Sequence, residues 1–250
     1  MLRGLYTAAT GMQMQSLERQ TVADNLANLN TTGFKKAKNL YKSYADQVLS
    51  SNLEQKVIGD ISKGVDASGT TYSFEQGPLK KTDNPFDLAL NGEGFFPVQL
   101  PNGEIQFSRN GHFTVDRDGF LTTPDGAMVL DEGFAPVSFG TEPLRDLSVM
   151  RDGDITANGR FVTRLQAFKF PPGTQVTRTS RDRFDMPNKT LSMVEATGTS
   201  IQQGFLESSN VNSVQAATEM IQVMRSYEAN QKVVRSAADT LQMLMDVGRI

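Results

Sequence analysis

The chain has 250 residues, 38% hydrophobic and 21% charged, enough for one large or two modest domains with a sizeable core. A net charge of −3 and a pI near 5.3 argue against general nucleic-acid binding, and no stretch approaches the roughly 18 apolar residues of a membrane span. The absence of cysteine removes disulfides, thiolate metal sites and cysteine nucleophiles, while a single histidine, His112, excludes a three-histidine zinc site.

Residues 1–33 read as helix, without the apolar run or cleavage site of a secretory leader. Leu2, Leu5, Ala9 and Met12 fall on one stripe and Val22, Leu26 and Leu29 on another, with a polar centre from Gln13 to Gln20. Asn30-Thr31-Thr32-Gly33 ends the helix, Gly33 suiting a left-handed turn. Residues 34–75 lose their period after Tyr41–Leu49 and become rich in Ser, Gly, Thr and Lys. They are expected to form a connector, partly helical and then extended, of low intrinsic order.

Residues 76–207 change texture. Asn102-Gly103, Asn110-Gly111, Asp118-Gly119 and Asp125-Gly126 recur every seven or eight residues, and such dipeptides favour the positive φ of tight hairpins. Short β-type runs lie between them: Phe95–Leu100, Ile105–Ser108, Phe113–Val115, Phe120–Thr122 and Met128–Leu130. Asp152-Gly153 and Asn158-Gly159 flank two more, Leu147–Met150 and Phe161–Phe170, which together predict an antiparallel β domain.

Residues 208–250 return to helix, beginning near Ser213 with Asn212 as cap and Gln215 as its reciprocal partner. Ala217, Met220, Met224, Tyr227, Val234, Ala238, Leu241 and Met245 alternate steps of three and four, broken only by Gln231, and Glu228 and Lys232 form a favourable i,i+4 pair. A narrow stripe on so long a helix needs another helix to cover it. The predicted fold is α+β: long N- and C-terminal helices pairing as a coiled coil, with an inserted antiparallel β domain. The corresponding division is 1–33 with 208–250, a connector 34–75, and a β-rich domain 76–207.

No constellation of nucleophile, base and orienting group emerges. Asp116-Arg117-Asp118-Gly119 lacks the spacing of a calcium loop and reads as a hairpin turn. Gly92-Glu93-Gly94 meets neither nucleotide fingerprint and reads as a turn before a buried strand, with Phe95 and Phe96 in core and rim. Arg178, Arg181 and Arg183, interleaved with Asp182 and Asp185, read as a solvated hairpin face, and His112 as a solvated or hydrogen-bonded surface residue. No enzyme activity, cofactor, metal or small-molecule substrate is expected.

Leu5-Tyr6, Ala8, Gly11, Asn25-Leu26-Ala27-Asn28 and Thr31-Thr32-Gly33-Phe34-Lys35 resemble the N-terminal signature of the bacterial flagellar rod and hook proteins. Ser209-Asn210-Val211-Asn212, Met220-Ile221, Arg225, Tyr227-Glu228 and Asn230-Gln231-Lys232 resemble the other terminus of that family. Gly77-Pro78-Leu79, Asn84-Pro85, Asp87–Leu90, Gly92, Gly94-Phe95-Phe96 and Arg109-Asn110-Gly111 are similar to the β domain of its rod branch, although Asp24 stands where asparagine is usual and Phe86 where leucine is common. The resemblance implies a structural subunit of the basal-body rod, exported by the flagellar type III apparatus, whose partners are itself and other rod and hook axial proteins. It implies paired terminal helices packing on neighbours in a helical tube, the β domain facing outward. The assembly interface is then expected at Leu5, Met12, Leu26 and Leu29 and at Met220, Ile221, Met224, Tyr227, Val234 and Leu241. Lys36–Asp66 lacks the longer segment associated with the distal rod, which favours the proximal rod. The alternative from another class is a secreted β module dimerised by its helices; a hydrolase using His112 is the remotest reading.

Overall fold

The computed structural model describes residues 2–43, 47–50, 57–61, 65–140, 144, 146–171, 173–186 and 194–247. The chain forms two compact units. The first comprises residues 1–27, 37–72 and 212–250, and the second residues 28–36 and 73–211.

The first unit holds helix α1 (Leu2–Ala27), strands β1 (Ala37–Ser43), β2 (Gln47–Ser50), β3 (Val57–Ile61) and β4 (Val65–Tyr72), and helix α2 (Ser213–Val247). The 35 residues of α2 span about 52 Å at 1.5 Å per residue. Asn212 Oδ1 accepts from the Gln215 backbone N–H at 3.1 Å, so the cap forms, but Gln215 donates to Glu219 instead of returning to the cap. β1 pairs antiparallel with β4 from Ala37–Tyr72 to Ser43–Val65, with a bulge at Leu40/Tyr41, and β2 pairs with β3. The partly helical stretch expected around Tyr41–Leu49 is therefore strand wherever it is described. Side chains of α1 hold it extended. Asn25 bonds both the N–H and C=O of Ala37 at 2.9 Å, and Glu18 accepts from Asn39 Nδ2 at 3.0 Å and from the Tyr41 hydroxyl. A side chain that satisfies both polar groups of one residue fixes an edge that sequence periodicity does not reveal.

The second unit is antiparallel β throughout. It runs β5 (Leu79–Lys81), β6 (Leu88–Asn91), β7 (Phe96–Gln99), β8 (Ile105–Ser108), β9 (Thr114–Val115), β10 (Leu121–Thr122), β11 (Met128–Val129), β12 (Leu147–Val149), β13 (Asp154–Ala157) and β14 (Arg160–Arg164). It continues with β15 (Phe168–Lys169), β16 (Thr177–Arg178), β17 (Arg183–Asp185), β18 (Val194–Glu195), β19 (Ser200–Gln203) and β20 (Phe205–Glu207). The largest sheet is ordered β16-β17-β8-β7-β11-β10-β9, beside a β12-β13-β14 meander. β15 pairs with β18, β19 with β6 and β20 with β5. The last two pairings join the end of the unit to its beginning. Its core contains Leu88, Leu90, Phe96, Val98, Phe113, Leu121, Val129, Ile155, Leu165 and Ile201.

Three local expectations change here. Asn110-Gly111 is no hairpin. A Cβ on Gly111 would lie 1.6 Å from the Leu88 carbonyl oxygen, so the glycine is required by close backbone approach, and Leu88 N–H bonds the Gly111 carbonyl at 2.9 Å. Phe95 and Phe96 are both buried, because both faces of this segment are covered. Phe96 meets Phe113 edge-on at 5.4 Å, while Phe95 packs among Phe74, Phe170 and Phe184. The arginine segment is a solvated face only at Arg181: Arg183 is buried and pairs with Asp125, and half-buried Arg178 lies 4.9 Å from the centre of the Phe34 ring.

Candidate functional site

Within the first unit α1 and α2 run antiparallel and in contact. Gln15 Oε1 accepts from Asn230 Nδ2 at 3.1 Å, a Cβ on Gly11 would sit 3.1 Å from that same nitrogen, and the Arg19 guanidinium lies 5.8 Å from the Tyr227 ring centre. The less exposed described residues of α2 are Ala216, Glu219, Met220, Val223, Tyr227, Asn230, Gln231, Val234, Ala237 and Leu241, and all but Glu219 and Gln231 alternate steps of four and three. Met220, Tyr227, Val234 and Leu241 of the expected interface are thus half-buried, whereas Ile221 and Met224 are exposed. Ala216, Val223, Asn230 and Ala237 lie one residue before positions read from the apolar pattern, and of these Asn230 bonds α1 through Gln15. That pattern omits Asn230, a polar residue at the contact, and so tracks the flank. On α1, Met12 is half-buried and Leu26 is exposed, while the side chain of Leu5 lies outside the described residues; Leu29, also half-buried, falls beyond the end of α1 in the turn that begins the second unit's first segment, so it is not a helix position as expected. Beyond the contact, Val214, Ile221, Met224 and Val233 stand exposed on α2.

The resemblance motifs of the second unit converge on a buried ionic cluster. β20 ends on Glu207, whose carboxylate accepts from Lys35 Nζ at 2.7 Å, Arg109 Nε at 2.6 Å and the Gly77 backbone N–H at 2.9 Å. The three side chains are 1–2% exposed. Lys35 also donates to the Glu75 carbonyl at 2.6 Å, and the remaining Arg109 nitrogens donate to the carbonyls of Leu90, Gly92 and Gly94. Burial holds the Lys35 amine below its ordinary pKa, and the Glu207 charge opposes that fall. Around the cluster, Gly33 N–H bonds the Glu207 carbonyl at 2.8 Å, Thr32 donates to Asn110 at 2.8 Å, and Asn210 accepts from Lys36 N–H and donates to the carbonyls of Ser73 and Glu75. These segments lie next to points where the chain passes between units, at 27/28, 36/37, 72/73 and 211/212. Sequence reasoning quoted Lys35, Gly77 and Arg109 as motif residues but missed Glu207, which binds them; a lone acidic residue ending a strand gives no signal by itself.

The cluster's chemistry is that of a structural tie. His112 Nδ1 lies 2.7 Å from buried Asp87 Oδ1, and Asn84 donates to the same oxygen, so the histidine is hydrogen-bonded at the edge of β6. Among the described residues no three of His, Cys, Asp and Glu assemble as a metal-holding group, and no helix is long and apolar enough to cross a membrane.

Three family descriptions match the chain: "Flagella basal body rod protein" over residues 5–35, "Flagellar hook protein FlgE/F/G D1 domain" over 89–157, and "Flagellar basal body rod FlgEFG protein C-terminal" over 202–247. The flagellar basal-body rod protein FlgG of Buchnera aphidicola subsp. Baizongia pistaciae is 31% identical over 98% of this chain and 99% of its own. The rod protein FlgF of Caulobacter vibrioides is 31% identical over 94% of this chain and 93% of its own, and FlgG of the same organism is 28% identical over 96% and 97%. Whole-length similarity of this order, with the matched segments in the same order at both ends and the middle, places the chain in the flagellar basal-body rod protein family.

Proposed function

We propose that the chain is an axial subunit that polymerises through α1 and α2 into the helical drive-shaft of the flagellum, with its place in the proximal rod. Membership of the family makes it a structural component of the flagellar basal body, which assembles with other axial proteins. The finer reading rests on one observation: α2 is apolar on two flanks and only one of them meets α1. Met220, Tyr227, Val234 and Leu241 border the intramolecular contact, while Ile221, Met224 and Val214 point away from it. In this reading the paired helices are a coiled coil whose second flank, with Leu5, Met12 and Leu26 of α1 and Leu29 just beyond it, binds neighbouring copies. Heterologous contacts that do not close a ring build an open helix, the geometry of a shaft. Residues 1–33 and 208–250 then form the axial part and 76–207 the outer part, with 34–75 setting subunit packing. The short Lys36–Asp66 segment supports the proximal position, and export through the flagellar type III apparatus is the route this placement requires.

Quantitative mass spectrometry of purified hook–basal bodies tests the placement by counting this chain against the hook protein. A few copies per basal body are expected. Several times more would move it to the distal rod, and its absence would overturn the rod reading.

A further inference from the structure

The contact between α1 and α2 is polar at its centre. Gly11, Gln15 and Arg19 follow one another at spacings of four on α1, and against them lie Asn230 and Tyr227 of α2. The Asn230 amide donates to Gln15 Oε1 at 3.1 Å, and its nitrogen sits over Gly11, where a Cβ would come to 3.1 Å. Both amide residues are half-buried. Leucines in their places would bury more hydrocarbon, so the stability of the helix pair does not account for the amides. Their neighbours on the same face of α2, Val223, Tyr227, Val234 and Ala237, carry no amide, so an α1 slipped by one turn leaves the two without this bond. A second α2 in place of α1, with its own Asn230 where Gln15 lies, brings Ser226 where Gly11 is, and a Cβ there crowds the Asn230 amide. Val214, Ile221 and Met224 on the exposed flank are all apolar and make no such demand on a partner.

We propose that Asn230, with Gln15 and Gly11, is the specificity-determining residue of the helix pair: it selects α1, antiparallel and in this register, over any other helix as the cover of this face of α2. The inference rests on the rod reading for its competitors, since helices of neighbouring copies surround α2 in an axial assembly. A single polar residue in an otherwise apolar helix seam specifies partner and register at a cost in stability, because every other pairing leaves its amide unbonded. The apolar flank is thereby kept for neighbours.

The full-length chain has no cysteine, so introduced thiols report alone. Antiparallel stepping from the Gln15–Asn230 bond puts Met12 opposite Val234 in the next layer, with Leu241 one heptad further along. The test oxidises the purified Met12→Cys/Val234→Cys and Met12→Cys/Leu241→Cys proteins and maps their disulfides by mass spectrometry, a disulfide forming only where Cα atoms come within about 7 Å. The expected product is the 12–234 disulfide within one chain, with little 12–241 or 234–234. Adding Gln15→Leu and Asn230→Leu should lower the ratio of 12–234 to the other two about fivefold, equivalent to one hydrogen bond of roughly 1 kcal/mol, while the thermal midpoint of the helices stays the same or rises. Exchanging the amides, as Gln15→Asn with Asn230→Gln, should return the parent ratio. A leucine protein as selective as the parent overturns the inference. So does one whose midpoint falls, since the amides then hold the helices together rather than select them, and so does a parent without the 12–234 disulfide. The rod reading is tested separately by counting copies in basal bodies, so each can fail without the other.

Discussion

Replacing Glu207 with glutamine should destabilise the β-rich unit by an amount that the buried cluster sets. The carboxylate accepts three hydrogen bonds of 2.6–2.9 Å, two of them from cations, and all three charged side chains are nearly inaccessible to water. Glutamine keeps the shape but supplies one acceptor oxygen and turns an N–H₂ toward Lys35 or Arg109, leaving two buried cations without an anion. Breaking a buried ion pair from one side costs about 3–5 kcal/mol, a large part of the roughly 5–15 kcal/mol that holds a domain together. Lys35→Met is the contrasting change. It removes a cation whose burial is already unfavourable and leaves Glu207 with Arg109, so it should cost less than half as much. Urea unfolding of the full-length protein followed by far-ultraviolet circular dichroism measures both. With a slope of about 2 kcal/mol/M, Glu207→Gln should lower the midpoint by about 2 M. All five tyrosines lie in the helical unit, so tyrosine fluorescence follows that unit separately. The Lys35 linkage has a defined sign. Its folded pKa is below 10.5, so the unfolded chain binds more protons between the two values and stability rises with pH in that window. Lys35→Met should lose that rise. A Glu207→Gln protein within about 1 kcal/mol of the parent, or a Lys35→Met protein as damaged as Glu207→Gln, would refute the reasoning.

Ile221→Lys combined with Met224→Lys should prevent incorporation into basal bodies while leaving the circular dichroism of the purified chain unchanged, since both side chains are exposed; normal incorporation would remove this flank from the interface. Gly111→Ala should cost more than about 4 kcal/mol and yield insoluble protein, because its Cβ meets the Leu88 carbonyl at 1.6 Å. Gly103→Ala, at φ +85° with open space around it, should cost only about 1–2 kcal/mol in thermal unfolding, and equal losses at the two sites would sink the distinction. Tyr41 should ionise late, its phenol pushed up to about 12 by burial and by its hydrogen bond to Glu18. Its contribution is complete below pH 10, the unfolded value, and is lost as pH rises from there toward the folded value. Ultraviolet titration of tyrosinate should show a late step that Tyr41→Phe removes, and a single common step would contradict it.

The sequence by itself determined the family and the order of helix, β-rich domain and helix, though not the strands of the connector between them. Three- and four-residue spacing marks both helices, and Gly103, Gly119 and Gly126 all adopt the positive φ that their Asn-Gly and Asp-Gly dipeptides favour. Those signals are local, which is why they are legible without the fold. Where a glycine serves a distant backbone, as Gly111 does, the same dipeptide misleads, because the requirement comes from Leu88 rather than from the turn. The face of α2 against α1 includes Asn230, which an apolar stripe passes over and only a partner such as Gln15 explains. The buried cluster is the furthest from sequence. Lys35, Arg109 and Glu207 are separated by up to 172 positions, and nothing near any of them announces a charge without water. Tertiary structure decided that set. Pairing β20 with β5 and β19 with β6 brings the unit's two ends together, and charges stripped of water there persist only where each finds its partners.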